Sequence, residues 1–494
     1  MTATLVFILV SLGLLSGKLT LILFPALRRC FVPSSIIGGL LALLIGPEVW
    51  GRLIPGQPGG PFGEEVYFYC GKLPGFLISV VFAGLFLGES LPKVREIWRR
   101  AGPQVAFGQA TAWGMYAVGL GITMVLLVPL FDVPPVFGTL LEIGFEGGHG
   151  TAAGMSASFE SIGWAEGTDL ALSVATVGVV FGVGVGMLLI NWGVRQGHTR
   201  FLTTDGYQSA ESPSDAALGK AANPPTSDQR PRPEVGLGKS RRPPAGEPDD
   251  RYVVRSIDAI SLHIAVIGLS IGVGAVLLMA LQFMETQTLG RLGVKPLLSH
   301  MPLFPLAMIG GIIVQRWLSR FLPRLKLERE VYVRLQGVAL DFLIVSAMAA
   351  LSLRAIAANL APLLILMAVG TAWILAMFLF VAPRIFRSFW FERGIGDLGQ
   401  SFGMTATGLL LMKIVDPEYR SPAMEAFGYK QLLFEPFVGG GLVTAMSVPL
   451  VANYGPWPFC IFATLLTIFW IALGIMVFGR APRTVAVADS GPAE

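Results

Sequence analysis

The chain has 494 residues, of which 53% are hydrophobic and only 14% are charged, and its formal net charge is +4. Soluble domains carry roughly 25% charged residues, so this composition excludes a soluble enzyme and indicates a protein that crosses the membrane many times. The basic residues are spread between apolar segments, which does not favour nucleic-acid binding. The three cysteines are isolated, with neither metal-ligand spacing nor a disulfide framework.

Eleven apolar segments are candidates to cross the membrane, which takes about 20 mostly apolar residues. They are 2–24, 32–49, 73–90, 104–129, 169–195, 256–281, 302–318, 336–354, 359–382, 427–452 and 457–479. Two further stretches, 134–162 and 395–415, are interrupted too often by polar residues to span. We interpret them as re-entrant loops, which enter and leave the membrane on one side.

Lysine and arginine in short connections predict the orientation of the chain. The connections after the first, third, fifth, seventh, ninth and last predicted spans are basic. All six lie in the cytoplasm if the N-terminus is outside and residues 481–494 form a cytoplasmic tail. The sequence therefore predicts a multi-pass protein of the inner (plasma) membrane.

One long stretch between the predicted spans is polar. Residues 199–250 contain eight prolines among serine, glycine and mixed charges. Such a composition cannot form a packed core, so we predict a disordered cytoplasmic linker over 199–255. It separates a first membrane part, 1–198, from a second, 256–452.

The two membrane parts resemble one another. Residues 33–40 resemble 305–312, 75–80 resemble 341–346, and 149–154 resemble 402–408. Each part has five predicted spans with a re-entrant loop between the fourth and fifth, and an odd number of spans inverts the second copy. The predicted fold is an all-α polytopic membrane protein of two inverted repeats of five transmembrane helices, each with a re-entrant loop, plus an extra C-terminal helix in 453–480. Inverted repeats with broken elements near the midplane are typical of secondary transporters.

The centre of the first predicted loop concentrates glycine and polar residues, reading Glu-Gly-Gly-His-Gly-Thr at 146–151. Irregular backbone at membrane depth persists only where it is buried in protein or lines a cavity. Free glycine amides ahead of a short helix would attract an anion. We interpret this run as half of a transport site. The alternative is a glycine-rich helix-packing seam, which would need neither a carboxylate nor an imidazole.

The candidate site residues fall into two sets. Those for a substrate carboxylate are Gly148, His149, Gly150 and Thr151, with Ser401, Gly403, Thr405 and Thr407 as their counterparts in the second loop. Those for a coupling Na⁺ or proton are Glu146, Gly147, Thr176 and Glu435. Two alternatives stay open: His149 could make only a structural hydrogen bond, and Glu435 could be a neutral acid that holds a kink open.

Two motifs carry a resemblance to a known family. The Gly-Gly-His-Gly-Thr run at 147–151 resembles the first re-entrant motif of the bacterial sodium/glutamate symporter family, and residues 399–403 are a weaker match to the second. The resemblance covers residues 1–198 and 256–452 in span order and loop placement. It implies glutamate transport with Na⁺ by an elevator-like motion within a homodimer. Glu146 stands where the family has a small residue, and the linker and eleventh span are additional.

The leading hypothesis is therefore a secondary symporter that imports a small carboxylate, with L-glutamate first, using Na⁺ and no other cofactor. One alternative is a proton-coupled organic anion carrier that uses Glu146 and Glu435 as proton relays. Another is a channel or a non-transporting membrane sensor. We predict no enzyme, because the sequence contains no P-loop, nucleophile–base pair or metal-ligand set.

Overall fold

The computed structural model describes residues 1–24, 27, 32–89, 94–202, 259–288, 297–322, 325 and 327–479. The predicted tail and all of the predicted linker after residue 202 lie outside this part of the chain. So do several predicted cytoplasmic basic residues, namely Arg28, Arg29, Lys93, Arg324, Lys326, Arg480 and Arg483. Within the described residues all regular structure is helical.

The helices of the first half lie before residue 203. In chain order they are α1 (Thr2–Leu23), α2 (Ser34–Leu44), α3 (Trp50–Leu53), α4 (Glu64–Gly84), α5 (Val94–Phe131), α6 (Gly148–Gly154), α7 (Ser156–Ser161) and α8 (Glu166–Arg195). A 3₁₀ turn (Pro135–Thr139) and a π-helical turn (Glu142–Glu146) lead into α6.

The helices of the second half lie after residue 258, with a 3₁₀ turn (Leu298–His300) after the first of them. They are α9 (Ala259–Gln287), α10 (Phe304–Phe321), α11 (Arg329–Ala349), α12 (Leu353–Ala358), α13 (Leu360–Ile385), α14 (Trp390–Ser401), α15 (Thr405–Val415), α16 (Ala423–Phe434), α17 (Leu442–Tyr454) and α18 (Pro456–Phe478).

Among the described residues, eight helices are long and apolar enough to cross a membrane: α1, α4, α5, α8, α9, α11, α13 and α18. The protein is therefore a multi-pass membrane protein, although fewer helices meet that criterion than the eleven predicted spans. The predicted span 32–49 contains only the 11-residue α2. The predicted continuous span 427–452 is instead two helices, α16 and α17. Pro436 lies in the break, where Gly439 and Gly440 have φ of 70° and 109° that favour glycine.

The helices form two groups by their contacts. The first, which we call the paired bundle, contains α1, α2, α4, α9, α10 and α11, with α4 packed along α11. The second, the site bundle, contains α5, α6, α8 and α13 to α18. The two bundles meet chiefly where α6 contacts α4 and α11.

Matching glycines hold the paired bundle together. Gly38 on α2 approaches the backbone of Gly13 on α1, and Gly310 on α10 approaches the backbone of Ser270 on α9. A Cβ at either position would overlap a carbonyl oxygen. Small residues allow membrane helices to approach this closely. Gly38 and Gly310 lie at positions that the sequence pairs, in 33–40 and 305–312, and the inverted repeat stays a prediction.

Among the described residues, three contacts between nitrogen or oxygen atoms link the two bundles or the connections beside them. Lys72 Nζ lies 2.8 Å from Glu160 Oε1. Ser158 Oγ donates to the His300 carbonyl at 2.8 Å. The Ser352 N–H donates to Asp169 Oδ1 at 3.2 Å. All three involve residues at the ends of spans or in connections that the predicted orientation places outside the cell.

Candidate functional site

Three helix interruptions converge in the site bundle. They lie between the π-helical turn and α6, between α14 and α15, and between α16 and α17. Gly148 has φ of +67°, and a Cβ there would overlap the Gly403 carbonyl oxygen. Likewise a Cβ on Gly440 would overlap Thr151 Oγ1. The three interruptions are therefore in direct contact.

A cavity of about 180 Å³ lies where these interruptions face the paired bundle. Its polar wall belongs to the site bundle and includes residues 146–151, Gln400 and Thr405. Its apolar wall belongs to the paired bundle, with Ile78 and Phe82 on α4 and Leu340 and Ile344 on α11. Pockets for drug-sized ligands hold roughly 300–1,000 Å³, so this cavity suits a small molecule.

Glu146 presents an unsatisfied carboxylate in the cavity wall. Its side chain is 4% exposed, and neither carboxylate oxygen has a hydrogen-bond partner among the described residues. A Cβ on Gly439 would lie 3.8 Å from Glu146 Cγ, so the acid is also beside the break after α16. A buried charge without a partner is costly, which makes this carboxylate a candidate ligand for a cation or a proton.

Glu142 is the contrasting acid, at the start of the same π-helical turn. Its Oε2 accepts a hydrogen bond from the Tyr116 hydroxyl. Its Oε1 accepts from the Gly439 N–H and from Thr444 Oγ1, both at 2.9 Å. Glu142 therefore holds the break between α16 and α17 in place and has little capacity left for a ligand.

His149 is fixed by a contact across to α8. Its Nε2 lies 3.0 Å from Thr176 Oγ1. The same threonine hydroxyl lies 2.8 Å from the Leu172 carbonyl, one helical turn earlier. His149 is 2% exposed, and its other ring nitrogen, Nδ1, has no partner among the described residues.

A buried polar network supports the second wall of the site. Lys430 Nζ lies 2.7 Å from Asp397 Oδ1, and each side chain is 1% exposed. Gln400 Oε1 accepts from Lys430 at 2.8 Å and from Gln431 Nε2 at 2.9 Å. Gln431 Nε2 also lies 3.3 Å from Thr405 Oγ1. Because a buried ion pair needs satisfied neighbours to persist, this network fixes α14 and α16 at the start of α15.

A second, wider pocket adjoins the cavity. This vestibule, of about 720 Å³, is lined by charged residues that include Glu89, Arg329 and Glu425. Leu85 and Glu435 line both spaces. Glu435 therefore lies at the passage between the vestibule and the cavity.

Most of the sequence-predicted residues come together. Those that line the cavity are Glu146, Gly147, Gly148, His149, Gly150, Thr151, Gly403, Thr405 and Glu435. Of the other candidates, Ser401 and Thr407 are buried outside this lining, and Thr176 contributes through its contact with His149. The prediction that the glycine amides are free is wrong for Gly147. Its N–H donates to the Glu142 carbonyl at 2.9 Å, because the backbone stays helical through the π turn.

Sequence reasoning missed several residues of the site. Gln400 and Gly439 line the cavity, and Lys430 and Glu142 organise it. The sequence could have indicated Lys430, since a lysine inside a predicted span such as 427–452 is rare unless it has a function. Within the part of the chain that is described, no cluster of three or more His, Cys, Asp or Glu side chains could hold a metal ion. A cation here would therefore also need hydroxyl or backbone oxygens.

The fold and this site define an all-helical, polytopic membrane protein with a small polar cavity at interrupted helices. The chain is 23% identical to the sodium/glutamate symporter of Haemophilus influenzae over 454 residues, which cover 90% of this chain and 94% of the relative. It is 24% identical to the sodium/glutamate symporter of Escherichia coli, over 90% of this chain and 95% of the relative. The chain is therefore similar to sodium/glutamate symporters over nearly its whole length, at low identity. No family model and no solved structure matches the chain.

Proposed function

We propose that this protein is a secondary active symporter that imports a small carboxylate, with L-glutamate first, together with Na⁺. The observation that carries the proposal is the unpartnered Glu146 carboxylate in the wall of the cavity where the helix interruptions meet. The relatives bear the name sodium/glutamate symporter, which supports both the ion and the substrate.

The charges around the cavity favour entry of a cation with an anionic substrate. Glu146 and Glu435 both line it, and Lys430 is already paired with Asp397. An anion entering alone would meet two acids across a low-dielectric wall, which opposes binding. A cation at Glu146 offsets this repulsion, so binding of the ion and of the substrate becomes cooperative.

The division of the cavity between the bundles supports an elevator-like mechanism. All polar lining belongs to the site bundle, whereas the paired bundle contributes only apolar side chains of α4 and α11. An apolar wall has no directional bonds to break when the other bundle slides past it. We propose that the site bundle carries substrate and ion while the paired bundle stays fixed within a homodimer.

The orientation of the protein is part of the same proposal. The protein lies in the inner (plasma) membrane with its N-terminus outside and its C-terminal tail in the cytoplasm. In this orientation the vestibule opens to the cytoplasm. The polar contacts between the bundles then lie on the outer side. The described arrangement is the inward-facing state of the cycle.

Uptake by purified protein in proteoliposomes tests the proposed function. We expect labelled L-glutamate to accumulate when an inward Na⁺ gradient is imposed, and to equilibrate without accumulation when only a proton gradient is present at the same membrane potential. Full accumulation in Na⁺-free medium would contradict the proposal and favour a proton-coupled organic anion carrier. Flux that neither saturates nor accumulates would favour a channel, and binding without flux a sensor.

The linker offers a separate prediction. Replacing residues 203–258 with a Gly/Ser chain long enough to join the flanking helices is expected to leave Na⁺-driven uptake within about twofold of wild type, because the natural composition cannot form a core. Membrane insertion, measured by fluorescence-detected size-exclusion chromatography, controls for expression. Normal insertion with lost uptake would reveal a role for the linker.

A further inference from the structure

His149 is one of the residues that line the cavity, and one of its ring nitrogens has no partner among the described residues. Proton accounting identifies whether that nitrogen is a donor or an acceptor. The Thr176 hydroxyl has one hydrogen, and its two other neighbours, the Leu172 carbonyl at 2.8 Å and Met348 Sδ at 3.7 Å, can only accept it. Thr176 Oγ1 must then accept at its contact with His149 Nε2. The imidazole hydrogen is therefore on Nε2, where it is used within the protein.

Nδ1 of the neutral imidazole consequently has a free lone pair. It is buried and has no donor among the described residues. A protonated ring would instead bury a charge, and none of the described carboxylates forms an ion pair with His149. A buried acceptor without a donor costs free energy that a ligand N–H can recover.

We propose that His149 Nδ1 accepts a hydrogen bond from the ammonium group of the substrate. It would so select acidic amino acids over dicarboxylates of the same length that lack the ammonium group. The inference rests on the proposed function only in that the cavity binds a small carboxylate. It assigns His149 a different role from the carboxylate donor that the sequence predicts, since its one N–H is engaged by Thr176. Hydrogen bonds from a charged donor are about twice as strong as those between neutral groups, so this contact can contribute strongly to substrate selectivity.

A pair of substitutions separates the two ring nitrogens. In His149→Gln the terminal amide can replace the Nε2–H and donate to Thr176, but nothing replaces Nδ1. In His149→Asn the shorter amide oxygen can replace the Nδ1 acceptor, and the Thr176 contact is lost. Thr176→Val, which removes the hydroxyl at nearly constant shape, reports how much of the effect is positioning.

The test compares ligands that differ only in the ammonium group. Binding of L-glutamate against glutarate, and of L-aspartate against succinate, is measured by ligand-induced thermal stabilisation of the purified protein in Na⁺ without any gradient. We expect wild type to prefer the amino acids, His149→Gln to lose about 10- to 100-fold of that preference with little change for the diacids, and His149→Asn to retain most of it.

The outcomes separate this inference from the proposed function. Equal loss of amino acids and diacids in His149→Gln, or no preference in wild type, overturns the role of His149 even if Na⁺-driven uptake is intact. Wild type could instead prefer the amino acids, lose that preference in His149→Gln, and yet show no Na⁺-driven uptake. This result would support the role of His149 and reject the proposed Na⁺ coupling.

Discussion

Glu146→Gln is expected to abolish Na⁺-driven accumulation while leaving the protein folded. Glu146 lines the cavity, and both of its carboxylate oxygens are buried without partners among the described residues, so the fold loses no described hydrogen bond when one becomes an amide. The ion loses an anionic ligand, and glutamine can neither carry charge nor titrate. Loss of groups that only support a metal ligand costs about 10- to 100-fold in affinity, so loss of the ligand should cost at least 100-fold in apparent Na⁺ affinity.

Glu142→Gln is the matched control, because this acid lies on the same π-helical turn but is fully bonded. Here the amide nitrogen must replace an oxygen that accepts a hydrogen bond in the wild type, so we expect a lower melting temperature and unchanged Na⁺ affinity in the surviving protein. If Glu146→Gln keeps substrate exchange but loses only pH-driven accumulation, the proton-coupled alternative is correct. If Glu435→Gln weakens Na⁺ binding and Glu146→Gln does not, the ion ligand is Glu435 rather than Glu146.

Gly148→Ala is expected to eliminate transport by separating two of the interruptions. Alanine at φ of +67° costs about 1–2 kcal/mol, and its Cβ would overlap the Gly403 carbonyl oxygen. Overpacking against backbone adds about 1–3 kcal/mol, since neither element can move without disturbing the cavity wall. Thermal stability by size-exclusion chromatography and uptake in proteoliposomes should both fall.

Gly184→Ala provides the control for a glycine in the same bundle. A Cβ there meets no atom within 4 Å, and Gly184 lies inside the regular helix α8. Alanine is favoured over glycine in a helix by about 1 kcal/mol, so stability should rise slightly and uptake should not change. Uptake by Gly148→Ala equal to that of Gly184→Ala would show that the close approach to Gly403 is not needed for transport.

Hydropathy and local chemistry predicted much of this arrangement. The long apolar helices follow from composition, because a bilayer leaves few other ways to satisfy the backbone. The 146–151 run was identified because glycine, a carboxylate and an imidazole conflict with a simple span. These signals are local, so the sequence alone suffices for them.

The parts that sequence reasoning missed depend on contacts across the fold. At 435–441 sequence reasoning predicted a continuous span with at most a kink at Glu435, because hydropathy averages over the glycines and Pro436, whereas the structure has a break. The different roles of Glu142 and Glu146 are set by Tyr116 and Thr444, which are distant along the chain. The direction of the His149 proton likewise depends on a threonine 27 positions away.

The polar contacts between the bundles have an energetic consequence. Lys72 and Glu160 are 50% and 48% exposed, and exposed ion pairs contribute only about 0–1 kcal/mol. The hydrogen bonds from Ser158 and Ser352 add about 0.5–1.5 kcal/mol each. In the proposed transport cycle these polar contacts therefore oppose separation of the bundles only weakly, and a bound ion and substrate need supply only a small bias to offset them.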